Sequence, residues 1–79
     1  MSEKVFKGVE IVGTSDQSFS HAIEVAVKRA RQTLRELSWF TVEEMRGGLQ
    51  SGRLEYQVTL RVYFKLDPPD AADAEGTLV

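Results

Sequence analysis

The chain contains no cysteine, which removes two ways of holding a small protein together. No disulfide can form, and no thiolate can join a structural zinc site. His21 is the sole histidine, so metal ligation by imidazole has little to build on. No apolar run approaches the ~20 residues that cross a bilayer. The opening "MSEKVFKG" has no long apolar stretch behind its charges, so no secretory signal is expected. These absences, with the lack of cysteine, predict a soluble protein of the cytoplasm.

A strong charge of one sign is missing as well. The net charge is −2 over 79 residues. Residues 1–66 hold ten lysines and arginines against eight acids, and Asp67, Asp70, Asp73 and Glu75 supply the rest. That balance is too slight for a general nucleic-acid binder. A single-strand binder would want several exposed aromatics in a basic groove, and only one tryptophan, Trp39, is offered.

What is present is enough for one small domain and little more. Below ~80 residues a single core rarely supplies more than ~3–5 kcal/mol. With disulfides and zinc excluded, association with further copies is the remaining route to stability.

Residues 4–12, "KVFKGVEIV", read as a strand with apolar residues on both faces. Gly13 suits a turn, and Ser15, Asp16 and Ser18 are capable helix caps. Residues 19–37 read as a helix, with Ile23, Ala26, Val27, Ala30, Leu34 and Leu37 on one side. Lys28, Arg29, Arg31 and Arg35 crowd its second half, where cations complement the helix dipole. They can be a solvated face or an anion-binding one. Residues 39–46 read as a second strand, and "GGLQSG" as a turn. From 53 to 66 every even position is apolar or aromatic and every odd one polar or Tyr63, the pattern of a strand with one dry face. Such a strand would run to nearly ~50 Å, long for a lone small domain. It would bend or reach a neighbouring subunit. Residues 67–79, after Leu66, are acidic and poor in large apolar side chains, and read as a disordered tail.

The predicted fold is therefore α+β. It is a β-α-β-β domain over 1–66, with a three-stranded antiparallel sheet on one helix, followed by the tail 67–79. Open sheet edges invite pairing with other chains.

No nucleophile–base arrangement stands out. His21 reads as a solvated helical residue beside Ser18 and Ser20. Glu43 and Glu44 are neighbours on a strand and face opposite ways. Gly13-Thr14-Ser15 before a helix is a weak phosphate cradle, or a plain turn. Trp39 is either a core plug or a stacking surface. If Phe40 and Val42 face the helix, strict alternation sends Trp39 away from it, together with Thr41, Glu43 and Met45.

Four stretches taken together resemble the dodecins: "VEIVGTS" (9–15), "RARQTLREL" (29–37), "WFTVEEMRG" (39–47) and "EYQVTLRVYFKL" (55–66). The resemblance implies a small flavoprotein, not an enzyme, whose twelve copies close into a hollow shell. Flavins would bind in pairs at two-fold contacts, sandwiched between tryptophans, so that photochemistry is quenched. Trp39 matches the stacking tryptophan and Gln57 the glutamine that meets the flavin. Arg46 matches an arginine typical of bacterial members, and its charge suits FMN better than riboflavin. The resemblance also admits riboflavin or FAD, and coenzyme A as a secondary ligand. Tyr63 and Lys65 stand where bacterial relatives commonly carry glycine and arginine. Lys65 keeps the charge without the planar fork. The competing expectation is a shell or interaction module of the same fold that has lost flavin.

Overall fold

The computed structural model describes residues 3–67. The acidic stretch beyond Asp67 lies outside them. Strand β1 (Phe6–Ser15) leads to helix α1 (Phe19–Thr33), then strand β2 (Leu37–Gly48), a 3-10 turn (Gln50–Gly52) and strand β3 (Glu55–Lys65). The three strands form one sheet in the order β1-β3-β2, and β3 pairs antiparallel with both neighbours. The predicted β-α-β-β domain with a three-stranded antiparallel sheet and one helix is the architecture found.

The even positions of β3 make the dry face. Val58, Leu60 and Val62 are fully buried beneath α1. Burial of such a side chain contributes roughly 1.5–3 kcal/mol. The helix meets them with Ala22, Ala26 and Ala30, one residue per turn, all buried. Small side chains on this line let helix and sheet approach closely, and Ile23 and Val27 flank the contact.

Gly13 marks the closest approach. A Cβ there would stand 2.3 Å from the Ala22 carbonyl oxygen and 2.7 Å from the Ala26 Cβ. The expected turn at Gly13 is thus a strand residue: β1 runs on to Ser15, and Gly13 serves packing.

Ser18 caps the helix, its Oγ accepting the His21 N–H at 2.9 Å. Ser15 is buried, and its Oγ accepts the Gln17 N–H at 2.9 Å and lies 2.7 Å from His21 Nδ1. His21 is therefore a half-buried member of the entry to the helix, not a solvated one. The Gly13-Thr14-Ser15 segment spends its hydroxyl on the same junction.

The helix ends at Thr33, short of the expected residue 37. Leu34 is extended, its N–H donates to the Ala30 carbonyl at 2.8 Å, and Glu36 takes a left-handed φ of 57°. Leu37 belongs to β2 and pairs with Phe64. Pairing with β3 overrides a helical pattern that continues locally.

The helix lies over β1 and β3 and leaves β2 uncovered. Phe40, Val42 and Met45 of β2 are each more than two-fifths exposed. No helix among the described residues is long and apolar enough to cross a membrane.

Candidate functional site

The face of the sheet away from α1 is built from the odd positions of β3: Gln57, Thr59, Arg61, Tyr63 and Lys65. Their register partners on β1 are Thr14, Val12, Glu10, Gly8 and Phe6. Trp39 of β2 pairs with Tyr63 and so joins this face, as alternation predicts.

Strict alternation fails beyond Trp39. The register is irregular at Leu37/Trp39 and again at Val42/Glu44. At the second irregularity Glu43 is an extra residue in β2, a β-bulge. Past it, Glu44 pairs with Thr59, Met45 with Val58 and Arg46 with Gln57. Met45 therefore passes to the helix side, contrary to the expectation from its odd number. Arg46 arrives on the face that carries Trp39.

Two groups form on this face. In the first, the indole of Trp39 stacks on the Tyr63 ring, with centroids 4.9 Å apart and planes 18° apart. Phe6 meets the same indole at 4.8 Å, tilted by 54°. Trp39 nevertheless remains 46% exposed. A large aromatic held in place by its own chain yet still open is suited to stacking on a flat partner.

In the second group Arg46 Nε donates to Gln57 Oε1 at 2.6 Å, and Gln57 Nε2 donates to Glu55 Oε1 at 2.9 Å. Gly48 leaves room beside the amide: a Cβ there would stand 2.7 Å from Gln57 Nε2. These residues border an open cleft of about 570 Å³ that also includes Gly47, Arg53 and Leu54. Sequence reasoning missed Phe6, which only the pairing of β1 and β2 with β3 brings beside Trp39, and Glu55, which alternation along β3 already puts on the face of Gln57 two residues away.

The four candidate residues do not gather around one point in a single protomer. Six positions of β3 separate Gln57 from Tyr63, the partner of Trp39, which at ~3.3 Å per residue is roughly 20 Å. Lys65 lies at the aromatic end, opposite Phe6, beside a smaller cleft with Leu34 and Glu36. One protomer thus offers a stacking end and a hydrogen-bonding end, too far apart to grip one ring system. Between them Arg61 faces Glu10 at 3.8 Å. Among the described residues no group of three or more acids and histidines could hold a metal ion.

A family model described as Dodecin matches residues 5–67. The dodecin of Thermus thermophilus is 52% identical over 65 residues, covering 81% of this chain and 94% of that protein. The crystal structure of a Thermus thermophilus protein superposes with a TM-score of 0.77 at 49% identity, covering 84% of this chain and 98% of that one. The calcium dodecin of Mycobacterium tuberculosis is 35% identical, covering 81% and 92%.

Proposed function

The chain belongs to the dodecin family, and from that premise we propose that it binds, stores and buffers FMN without turnover. The half-exposed indole of Trp39, on the face the helix leaves open, carries the reading. Trp39 stacks on the isoalloxazine. The Gln57 amide, donor and acceptor at once, fits the pyrimidine edge. Arg46 and Lys65 complement the phosphate. Riboflavin and FAD share the ring system and compete for the same place, and coenzyme A is a secondary ligand.

The separation of roughly 20 Å between Trp39 and Gln57 means that a second copy completes the site. A homododecameric shell meets this need, with flavin pairs held between the Trp39 residues of two-fold related protomers. It also covers β2, whose Phe40, Val42 and Met45 are otherwise exposed. Photoexcited flavin accepts an electron from a stacked indole, so the bound ring loses its fluorescence and reactivity. We assign the protein to the cytoplasm, with neither nucleic acid nor membrane as partner.

One observation favours a second reading. Tyr63 already takes one face of Trp39. If Tyr63 and Phe6 together left the indole no face for a flavin, the protein would be a shell of the same fold without flavin.

Titration of FMN with flavin-stripped protein, with sizing of the same sample, separates the two. Quenching that saturates near one FMN per chain on a particle of about twelve chains supports storage. A twelve-chain particle that leaves FMN fluorescent retires it.

A further inference from the structure

The aromatic end of the sheet has an unusual seat. Tyr63 pairs across β1 with Gly8, and a Cβ on Gly8 would stand 2.7 Å from Tyr63 Cε2 and 3.0 Å from Cδ2. The phenol ring therefore occupies the space that any side chain at position 8 would fill. On its other flank Tyr63 pairs with Trp39 and stacks on it, 4.9 Å between centroids and within 18° of parallel. Gly8, Tyr63 and Trp39 form one row across the three strands, a glycine with an aromatic ring over it and a second ring against the first. Phe6 adds a tilted contact at 4.8 Å. Trp39 stays 46% exposed.

This row does something definite to the indole. An exposed tryptophan on an edge strand can rotate about two side-chain torsions. Here Tyr63 covers one broad face and Phe6 limits the tilt, while nearly half of the residue stays exposed. A flat ligand then meets an indole whose plane is already set, and less ordering entropy is lost on binding.

We propose that Tyr63, seated on Gly8, is a positioning residue that backs Trp39 and presents a single indole face to the flat ring of the ligand. The inference rests on the flavin-binding reading above and adds to it the residue that tunes affinity. Gly8 and Tyr63 act as one unit: the ring needs the missing side chain, and the indole needs the ring.

Two measurements on the assembled protein test this. Trp39 is the only tryptophan, so intrinsic fluorescence reports that ring alone. Acrylamide quenching of ligand-free protein should rise in Tyr63→Leu, which keeps strand bulk but loses the flat face. It should stay near wild type in Tyr63→Phe. FMN titration should show binding roughly threefold to tenfold weaker in Tyr63→Leu, the range expected for loss of one aromatic pair, and near wild type in Tyr63→Phe. Gly8→Ala should weaken FMN similarly, by displacing Tyr63, and should add nothing in the Tyr63→Leu background.

Equal or tighter FMN binding in Tyr63→Leu overturns the inference, because Tyr63 would then compete with the ligand or be indifferent to it. Independent, additive effects of Gly8→Ala and Tyr63→Leu overturn the single-unit argument. Wild-type protein that binds no FMN removes the flavin reading and this inference with it. Wild-type binding with an unmoved Tyr63→Leu variant removes this inference alone.

Discussion

Trp39 and Arg46 stand on the same face of the sheet, although one occupies an odd position and the other an even one. Trp39 pairs with Tyr63 and Arg46 with Gln57, and Tyr63 and Gln57 share a face of β3, which is regular throughout its pairing with β1. The extra residue at Glu43 reverses the alternation of β2 between them. Without that bulge, the cation at the end of "EEMR" would point to the helix side.

Replacing Trp39 with alanine should leave the assembly intact and weaken FMN. Stacking on an aromatic is worth ~1–3 kcal/mol per ring, so Kd should rise by at least fivefold. The quenching of bound flavin should fall with it. Fluorescence titration beside size-exclusion chromatography reads both, and unchanged affinity would remove Trp39 from the site.

Arg46→Ala should separate FMN from riboflavin. Loss of the guanidinium should cost FMN affinity about 1.5–3 kcal/mol, the span of charged hydrogen bonds, and cost riboflavin much less. The preference for FMN should also shrink as salt rises. Parallel titrations of the two flavins at low and moderate salt check this. Equal losses for both would mean that Arg46 acts only by holding Gln57.

Gly13→Ala and Gly48→Ala should fail in different ways. At Gly13 the added Cβ meets backbone, 2.3 Å from the Ala22 carbonyl oxygen, so helix and sheet must part. Overpacking of this kind costs about 1–3 kcal/mol, and thermal unfolding should show a clear loss. At Gly48 the Cβ meets only the far end of Gln57, which can swing away. That variant should melt near wild type and bind FMN more weakly. A large stability loss in Gly48→Ala with normal FMN binding would reverse the assignment.

Val42→Asp should shrink the particle. Val42 is 43% exposed on the uncovered strand β2, pairs with Leu60 and faces the helix side. A buried, unpaired carboxylate in a contact between copies costs several kcal/mol, whereas at a solvated position it costs almost nothing. Light scattering distinguishes the two, and an unchanged mass would exclude this part of β2 from the contact.

The parts of the fold that follow from short-range periodicity are legible in the chain. Alternation over residues 53–66 marks the dry face of β3, and Val58, Leu60 and Val62 are indeed its buried centre. Ser18 is recognisable as a cap, and the helix as the element that follows it. Trp39 is visible as the residue that alternation sends away from the helix. The candidate ligand contacts at Gln57, Arg46 and Lys65 rest on family resemblance, because nothing in composition or spacing singles them out.

What the tertiary structure decided depends on partners distant along the chain. The helix stops at Thr33 because Leu37 must pair with Phe64. Gly13 is a packing glycine because Ala22 and Ala26 lie above it. Met45 and Arg46 change faces because β2 carries one residue more than the stretch of β3 it matches. Tyr63 rests on Gly8 because their strands are adjacent in space, though far apart in sequence. A period of two or of 3.6 is fixed by consecutive residues and can be read from them. A bulge, a close approach or a stacked pair is fixed by which strand lies alongside, and the order β1-β3-β2 emerges only on folding.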